Sequence, residues 1–271
     1  MEVWIPITIF AAFFQNVRTA LQKYLKGRLS TGGATHVRFF YALPFAVIYL
    51  LALHYGGGFA FHTPNMAFSI YVVVGGITQI MATALLVALF SLRNFAIGTT
   101  YSKTETVQAA IFGVVLLGDH LSIAALIAIA ISMVGIMLIS VSGSRLTLKD
   151  LMIGWTGKSA LYGLLSGGLF GICAVSYRAA SLSLGGEGAI MQAATSIFFV
   201  LIFQATLVTL YLLAFEKGQF TLVIKSWKIA VWVGVTSMLG SIGWFTAMAM
   251  QNAAYVRAVG QIELVFTFLI S

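Results

Sequence analysis

Long apolar stretches alternate with short polar connections along the whole chain. A helix needs about 20 mostly apolar residues to cross the hydrocarbon core of a bilayer. These stretches are too uniformly apolar for the alternating strands of a membrane barrel. Nine stretches have the required length, at residues 4–24, 36–55, 66–91, 95–117, 121–141, 159–179, 189–214, 228–250 and 254–271. The pattern therefore predicts an all-α polytopic membrane protein.

Composition excludes the soluble alternatives. Of the 271 residues, 60% are hydrophobic and 8% are charged, whereas a soluble domain carries about 25% charged residues. Soluble globular, disordered and nucleic-acid-binding proteins are therefore excluded, although the formal net charge is +8. The single cysteine, Cys173, and the four scattered histidines lack the spacing of a metal site or a disulfide framework. We accordingly predict no metal and no cofactor.

The distribution of basic residues predicts an orientation. If the nine stretches alternate in direction, eleven Lys and Arg residues fall on one side of the membrane and at most two on the other. The positive-inside rule makes the basic side cytoplasmic, which places the N-terminus outside. The first stretch lacks a basic n-region and is predicted to be a retained span rather than a cleaved signal peptide. Because the chain stops inside its last apolar stretch, we expect a truncation there.

The two halves of the chain share polar positions. A shift of 158 residues places Asn94 on Asn252 and Glu105 on Glu263. One unit contains five spans, an odd number, so the second copy must enter the membrane upside down, as in the inverted repeats of secondary transporters. The predicted organisation is a first repeat at 1–143, a cytoplasmic linker at 144–158 and a second repeat at 159–271 that lacks its fifth span, the tenth helix.

Three short motifs follow a pattern shared with a known family. They are Arg38 after a short polar loop at the start of the second stretch, the run Leu117-Gly118-Asp119-His120-Leu121-Ser122, and Gly135-Ile136-Met137-Leu138-Ile139. With these motifs the chain resembles the EamA type of the drug/metabolite transporter superfamily. The resemblance implies a ten-helix bundle of two inverted five-helix repeats in the bacterial inner membrane. One departure is Ser102-Lys103, where the family often has a proline.

Two carboxylates lie where charge is costly. An ionisable side chain in hydrocarbon costs about 3 kcal/mol by insertion scales. Among the seven acidic residues only Glu105 and Glu263 lie within apolar stretches, and they occupy equivalent repeat positions. One interpretation is a central cavity in which one or both glutamates bind a proton or a cationic group. The other interpretation is a pair of structural ion pairs or helix–helix hydrogen bonds.

The neighbours of these glutamates suggest a broken helix. Lys103 precedes Glu105 by two residues, a rotation of about 200° on a helix, so the two side chains face one cavity only if the helix is interrupted. Gly98-Thr99-Thr100 is the predicted place for that interruption. Gln261 replaces Lys103 in the second half. One hypothesis pairs Lys103 with Glu263 across the pseudo-twofold axis.

Other polar and aromatic residues are further candidates for the binding site. Arg18 has three open roles: contact with an anionic substrate group, neutralisation of Glu105, or snorkelling to the cytoplasmic headgroups. Arg178 and Arg257 are expected to anchor the outer interface. The remaining candidates are Gln15 and Asn16 in the first stretch, Gln261 in the last, and Tyr101 and Gln108, which share the helical face of Glu105.

These features together predict a secondary transporter rather than an enzyme. It would carry a small metabolite or drug-like compound by alternating access, and the resemblance favours export, although import also occurs in the superfamily. Protons could couple to transport through Glu105 or Glu263, and facilitated diffusion without coupling stays open. The expected partners are a small-molecule substrate, protons and the lipid bilayer, with no nucleic acid, and a homodimer stays open. The alternatives are an intramembrane lipid-modifying enzyme and a non-transporting scaffold. The enzyme is disfavoured because the histidines lie at span ends and Cys173 has no histidine partner.

Overall fold

The computed structural model describes residues 2–92, 95–142, 157–186 and 188–270. Every regular element within these ranges is a helix, which confirms the all-α prediction. Asn94 and most of the predicted linker lie outside the described residues. The helices are α1 Trp4–Lys26, α2 Thr31–Phe40, α3 Leu43–Leu51 with a π-helical continuation Ala52–Gly56, α4 Met66–Leu89, α5 Phe95–Ser102, α6 Glu105–Leu117, α7 Ile123–Ser142, α8 Lys158–Ser183, α9 Ala189–Phe215, α10 Gln219–Lys225, α11 Trp227–Met250, α12 Ala253–Gly260 and α13 Glu263–Ile270.

Among the described residues, five helical segments are long and apolar enough to cross a membrane. They are Thr31–Gly56, Met66–Leu89, Lys158–Ser183, Ala189–Phe215 and Trp227–Met250. Large apolar side chains, such as those of Val115, Ile123 and Phe215, are exposed on the outer surface of the bundle. An apolar surface of this extent is typical of contact with lipid rather than water. The chain is therefore a multi-pass membrane protein.

Three of the predicted spans are divided: the stretch 36–55 between α2 and α3 at Tyr41-Ala42, and the two stretches that contain Glu105 and Glu263. The stretch 95–117 is interrupted between α5 and α6 at Lys103-Thr104, and the last stretch is interrupted between α12 and α13 at Gln261-Ile262. The two interruptions are separated by the same 158 residues that relate the two glutamates. We call these segments the first and the second break. Glu105 and Glu263 are the first residues of the helices that follow them.

Side-chain hydroxyls explain the position of the first break. The hydroxyls of Ser102 and Thr104 donate to the carbonyls of Thr99 and Tyr101, at 2.8 and 2.7 Å. Such bonds compete with the regular helical ladder. The predicted interruption at Gly98-Thr99-Thr100 is wrong, because Gly98 lies inside α5. There it allows close packing, since a Cβ at Gly98 would lie 2.6 Å from the carbonyl oxygen of Ser159 in α8.

A glycine stripe on α8 holds the first break. A Cβ at Gly167 would lie 2.8 Å from the carbonyl oxygen of Ser102, and one at Gly171 would lie 3.0 Å from the backbone nitrogen of Ala109. Gly163 meets the carbonyl of Gly98 in the same way, so α8 runs parallel to α5 and α6. Small residues at four-residue steps allow membrane helices to approach this closely. The stripe is therefore the surface on which α8 packs against α5 and α6.

The second break lies against α1. This helix contacts both α12 and α13, and it also packs along α11. Gly240 of α11 approaches Gln15 while Gly243 approaches Ala11 and Ile7, so α1 and α11 run antiparallel. Because α12 also contacts α6, the two breaks meet at the centre of the bundle, between α1 and α8.

Candidate functional site

A polar cavity of about 370 Å³ lies beside the two breaks. On α1 its lining runs from Gln15, midway along the helix, to Lys23 in the last turn, and it reaches Phe90 at the end of α4. The cavity therefore extends from the centre of the bundle toward the end where α1 and α4 finish. Six of the nine candidate residues line it: Gln15, Asn16, Arg18, Lys103, Glu105 and Glu263.

Ion pairs cross between the two broken helices. Lys103 at the first break contacts the carboxylate of Glu263 in α13, which is the hypothesised pair. Glu105 in α6 pairs with Arg257 in α12, with 2.8 Å between Oε1 and Nε. These two atoms lack an aligned hydrogen bond, so the contact is an ion pair. Each glutamate is therefore neutralised by a cation from the other broken helix.

The breaks also place both glutamates favourably within their own helices. Each carboxylate stands at a helix N-terminus, where the free N–H groups and the helix dipole stabilise negative charge. The first break also removes the angular conflict between Lys103 and Glu105, since both now line the cavity. A continuous helix would have turned one of them toward a neighbouring helix.

Polar side chains of α1 bind the second break. Nε2 of Gln15 donates to Oε2 of Glu263 at 2.6 Å, and Nδ2 of Asn16 donates to the backbone carbonyl of Glu263 at 2.8 Å. A further cross-link joins the two breaks themselves, because Nε2 of Gln261 donates to the hydroxyl of Thr106 at 2.7 Å. Gln261 thus belongs to the contact between the broken helices and is not part of the described cavity lining.

Tyr101 and Gln108 were predicted beside Glu105 in the cavity, and this prediction is wrong. Both turn toward α8. Gln108 donates to the hydroxyl of Thr104 at 2.8 Å and to the carbonyl of Leu164 at 3.4 Å, while Tyr101 packs with Ile97 and Ala160. The predicted common face assumed one continuous helix, and the first break removes that register between Tyr101 and Glu105.

Arg257 is a cavity-lining residue that the sequence prediction misplaced. It was expected at the outer interface, yet it is 7% exposed and its guanidinium lies 4.5 Å from the centre of the Trp244 ring. Its position within an apolar stretch was the available signal, because charges at membrane depth are functional candidates. Arg178 has a capping role: its Nη1 donates to the carbonyls of Met248 and Gln251 at the end of α11, at 2.8 and 2.6 Å.

Arg18 lies inside the bundle, not at the membrane surface. It is 5% exposed and lines the cavity, so the snorkelling alternative is wrong. Among the described residues no carboxylate lies within 4.0 Å of its guanidinium, so it does not pair directly with Glu105. Its Nη2 donates a long hydrogen bond, 3.5 Å, to the hydroxyl of Thr19 on the same helix.

A narrow extension leads from the cavity to a buried polar network. Its volume is about 20 Å³, space for about one water molecule. Gln15, Arg18, Phe170 and Arg257 line both the cavity and the extension. The extension, unlike the cavity, is also lined by Arg38, Gln79 and Tyr177, among others.

Arg38 belongs to this network. It was counted among the cytoplasmic basic residues, but it lies within α2 and is 6% exposed. Its Nη1 donates to the hydroxyl of Thr83 at 2.8 Å. Beside it, the Tyr177 hydroxyl and Nε2 of Gln204 both donate to Oε1 of Gln79, at 3.0 and 2.8 Å.

Comparisons with known proteins show a shared fold. No protein-family model and no curated protein sequence matches the chain. A solved structure described only as "Crystal structure of protein" is similar, with a TM-score of 0.66 and 13% sequence identity. The match covers 99% of this chain and 85% of that one. At this identity the likeness shows a shared fold alone.

Proposed function

We propose that the protein is a secondary transporter of the drug/metabolite transporter type, which moves a small molecule by alternating access. The observation that carries this proposal is the polar cavity at the two breaks. There Glu105 and Glu263 each form an ion pair with a basic residue of the other broken helix. Interrupted helices at the centre of a membrane bundle are where transporters bind substrates and coupling ions. Ionisable residues at such depth mark the pathways of substrates or protons.

Helix directions support two inverted five-helix repeats, at 1–143 and 159–271. Within one repeat the first and third spans run in the same direction. Helix α1 is the first span of the first repeat and α11 the third span of the second repeat, so two repeats of equal orientation would make these helices parallel. The two helices are antiparallel. The reciprocal pair, α4 and α8, is antiparallel as well, because Ser166 bonds the carbonyl of Ala82 while Gly75 approaches Tyr177. Both directions are those of an inverted copy.

The crossed ion pairs supply a gate for alternating access. The two broken helices must separate for the cavity to open at its other end, and this motion breaks the pairs Lys103–Glu263 and Arg257–Glu105. The cavity extends toward the end that carries Lys23, which is the cytoplasmic side under the positive-inside rule. The conformation therefore corresponds to an inward-facing state of a bacterial inner-membrane protein with its N-terminus outside. A proton on either glutamate would release one pair, which gives export a route to proton coupling.

The test is flux through proteoliposomes made with the full chain. Vesicles are loaded with phenylacetate, phenyl phosphate, phenethylamine and the common amino acids, and release is followed by mass spectrometry while an entrapped pH dye reports protons. We expect release of at least one compound above that of protein-free vesicles. Glu105→Gln should reduce that release about tenfold or more, the loss of roughly one charged contact.

Glu2→Gln is the matched control. Glu2 is an exposed carboxylate at the start of the chain, away from the cavity lining, so this variant should release the compound at the original rate. Wild-type vesicles that release nothing, or a Glu105→Gln protein that is folded and equally active, would contradict the proposed function.

A further inference from the structure

The cavity carries a positive excess. Around the two breaks its described lining contains three basic side chains, Arg18, Lys103 and Arg257, and two carboxylates, Glu105 and Glu263, while Lys23 at the open end has contacts of its own. Both carboxylates already contact a cation. Arg38, which lines the extension, adds a further positive charge. A cationic substrate would therefore have to displace a lysine or an arginine from its partner, whereas an anionic group would meet an unbalanced positive field.

Arg18 is the centre of this excess. Its side chain is buried and lines both the cavity and the extension, where Arg38 and Arg257 are the other two arginines. Its Nε has no hydrogen-bond partner among the described residues. A buried charge without a counter-charge is costly. A guanidinium in this situation is a binding site for an anion that can lie alongside it.

Building on the proposed transport function, we propose that the substrate is a small organic oxyanion, with a carboxylate or phosphate group that binds Arg18. The planar guanidinium offers paired N–H donors that match the oxygens of either group. Phe170 lines the cavity next to Arg18, and Leu86 and Phe90 line it toward the open end, so the substrate's organic part meets an apolar wall. The volume of about 370 Å³ is at the small end of the range for ligand pockets, about 300–1,000 Å³.

Binding is measured apart from transport, on the purified full chain in detergent, by the shift of its thermal unfolding midpoint. The anionic probes are phenylacetate, succinate, phenyl phosphate and glycerol 3-phosphate. Each is compared with its neutral amide or alcohol, and phenethylamine is the cationic probe. We expect a saturable shift with at least one anion and none with its neutral analogue. The carboxylate and phosphate arms show which of the two oxyanions the site takes.

Substitutions at Arg18 connect the shift to the site. Arg18→Gln should weaken the binding of that anion about tenfold or more, because a charge-assisted hydrogen-bond pair is lost. Arg18→Lys retains the positive charge without the paired N–H donors of the guanidinium and should weaken anion binding less. Arg28→Gln removes an exposed arginine beyond α1, whose Nη2 contacts Tyr24, and should bind the anion as the unmodified chain does. If Arg18→Gln does not fold, the Arg18→Lys protein carries the comparison.

The outcomes separate this inference from the transport function. If an anion binds in a way that depends on Arg18 but shows no flux in proteoliposomes, the proposed transport function is overturned and the proposed anion site stands. If phenethylamine or neutral compounds are transported and Arg18→Gln does not change their flux, the proposed anion site is overturned and the transport function stands. Failure of every anionic probe to shift unfolding, or equal binding to the Arg18→Gln protein, also overturns the inference.

Discussion

The first and second breaks have the same geometry and different chemistry. Each follows an eight-residue helix and places a glutamate at the start of the next one. The cations differ: the first break carries Lys103 itself, and the second carries glutamine there and has Arg257 one helical turn earlier. The supports differ too. The glycine stripe of α8 holds the first break through backbone contact, while Gln15 and Asn16 hold the second through hydrogen bonds.

This difference teaches that a repeated backbone need not carry repeated charges. The glutamates are equivalent and both of their cations line the cavity, but Glu105 faces the more buried arginine and Glu263 the more exposed lysine. The Arg257 and Lys103 side chains are 9% and 20% exposed. Ion pairs weaken as water reaches them, so the two pairs should respond differently to mutation and to salt. Four substitutions test this comparison.

The largest effect is expected from Arg257→Met. It leaves Glu105 charged and buried without its partner, which costs about 3–5 kcal/mol. Adding Glu105→Gln removes the orphaned charge and should recover most of that loss. Chemical unfolding in mixed micelles measures both variants. A double variant as unstable as the single one would show that Arg257 acts through its contact with Trp244 instead.

Gly167→Ala should come next. The new Cβ would stand 2.8 Å from the carbonyl oxygen of Ser102, and overpacking of this kind costs about 1–3 kcal/mol. Gly135→Ala in α7 is the matched control, because its Cβ would meet no atom within 4 Å. The same unfolding measurement compares them. Equal stability of the two variants would mean that α8 does not hold the first break.

Lys103→Met is expected to have a smaller effect, about 1–2 kcal/mol, between that of a surface pair and a buried one. Added salt should shrink this loss, because the Lys103 side chain is more exposed than that of Arg257 and ions screen its pair more strongly. The loss caused by Arg257→Met should stay nearly constant under the same titration. If salt affects both variants alike, the two pairs do not differ in their access to water.

Gln261→Leu should have the smallest effect, below about 1 kcal/mol. The substitution removes the bond to Thr106, but it also removes the buried Oε1 of Gln261, which has no partner among the described residues. Thr106→Val is the informative counterpart, because it leaves the amide of Gln261 without its acceptor. The thermal unfolding midpoint of the Thr106→Val protein should therefore be lower than that of the Gln261→Leu protein. The reverse order would contradict the direct cross-link between the breaks.

Much of the architecture follows from local sequence. Apolar stretches long enough for a bilayer predict the helices, and the glycine spacing of α8 predicts its packing surface. Glu105 and Glu263 could be selected from sequence because a carboxylate in hydrocarbon is costly and therefore rare. Their equivalent spacing was also enough to suggest that Lys103 reaches Glu263.

The partners of the other polar residues depended on the tertiary structure. Sequence spacing placed Tyr101 and Gln108 with Glu105. The first break separated Tyr101 from Glu105, and contacts with Thr104 and Leu164 hold Gln108 elsewhere. It assigned Arg257 to the interface, while the packing of α12 between α1 and α6 brought it to Glu105. Hydropathy determines which segments enter the membrane, because the free energy of moving a segment out of water depends on its own residues. Which charges meet is decided by helices more than a hundred residues apart in sequence, and only the folded bundle brings those helices together.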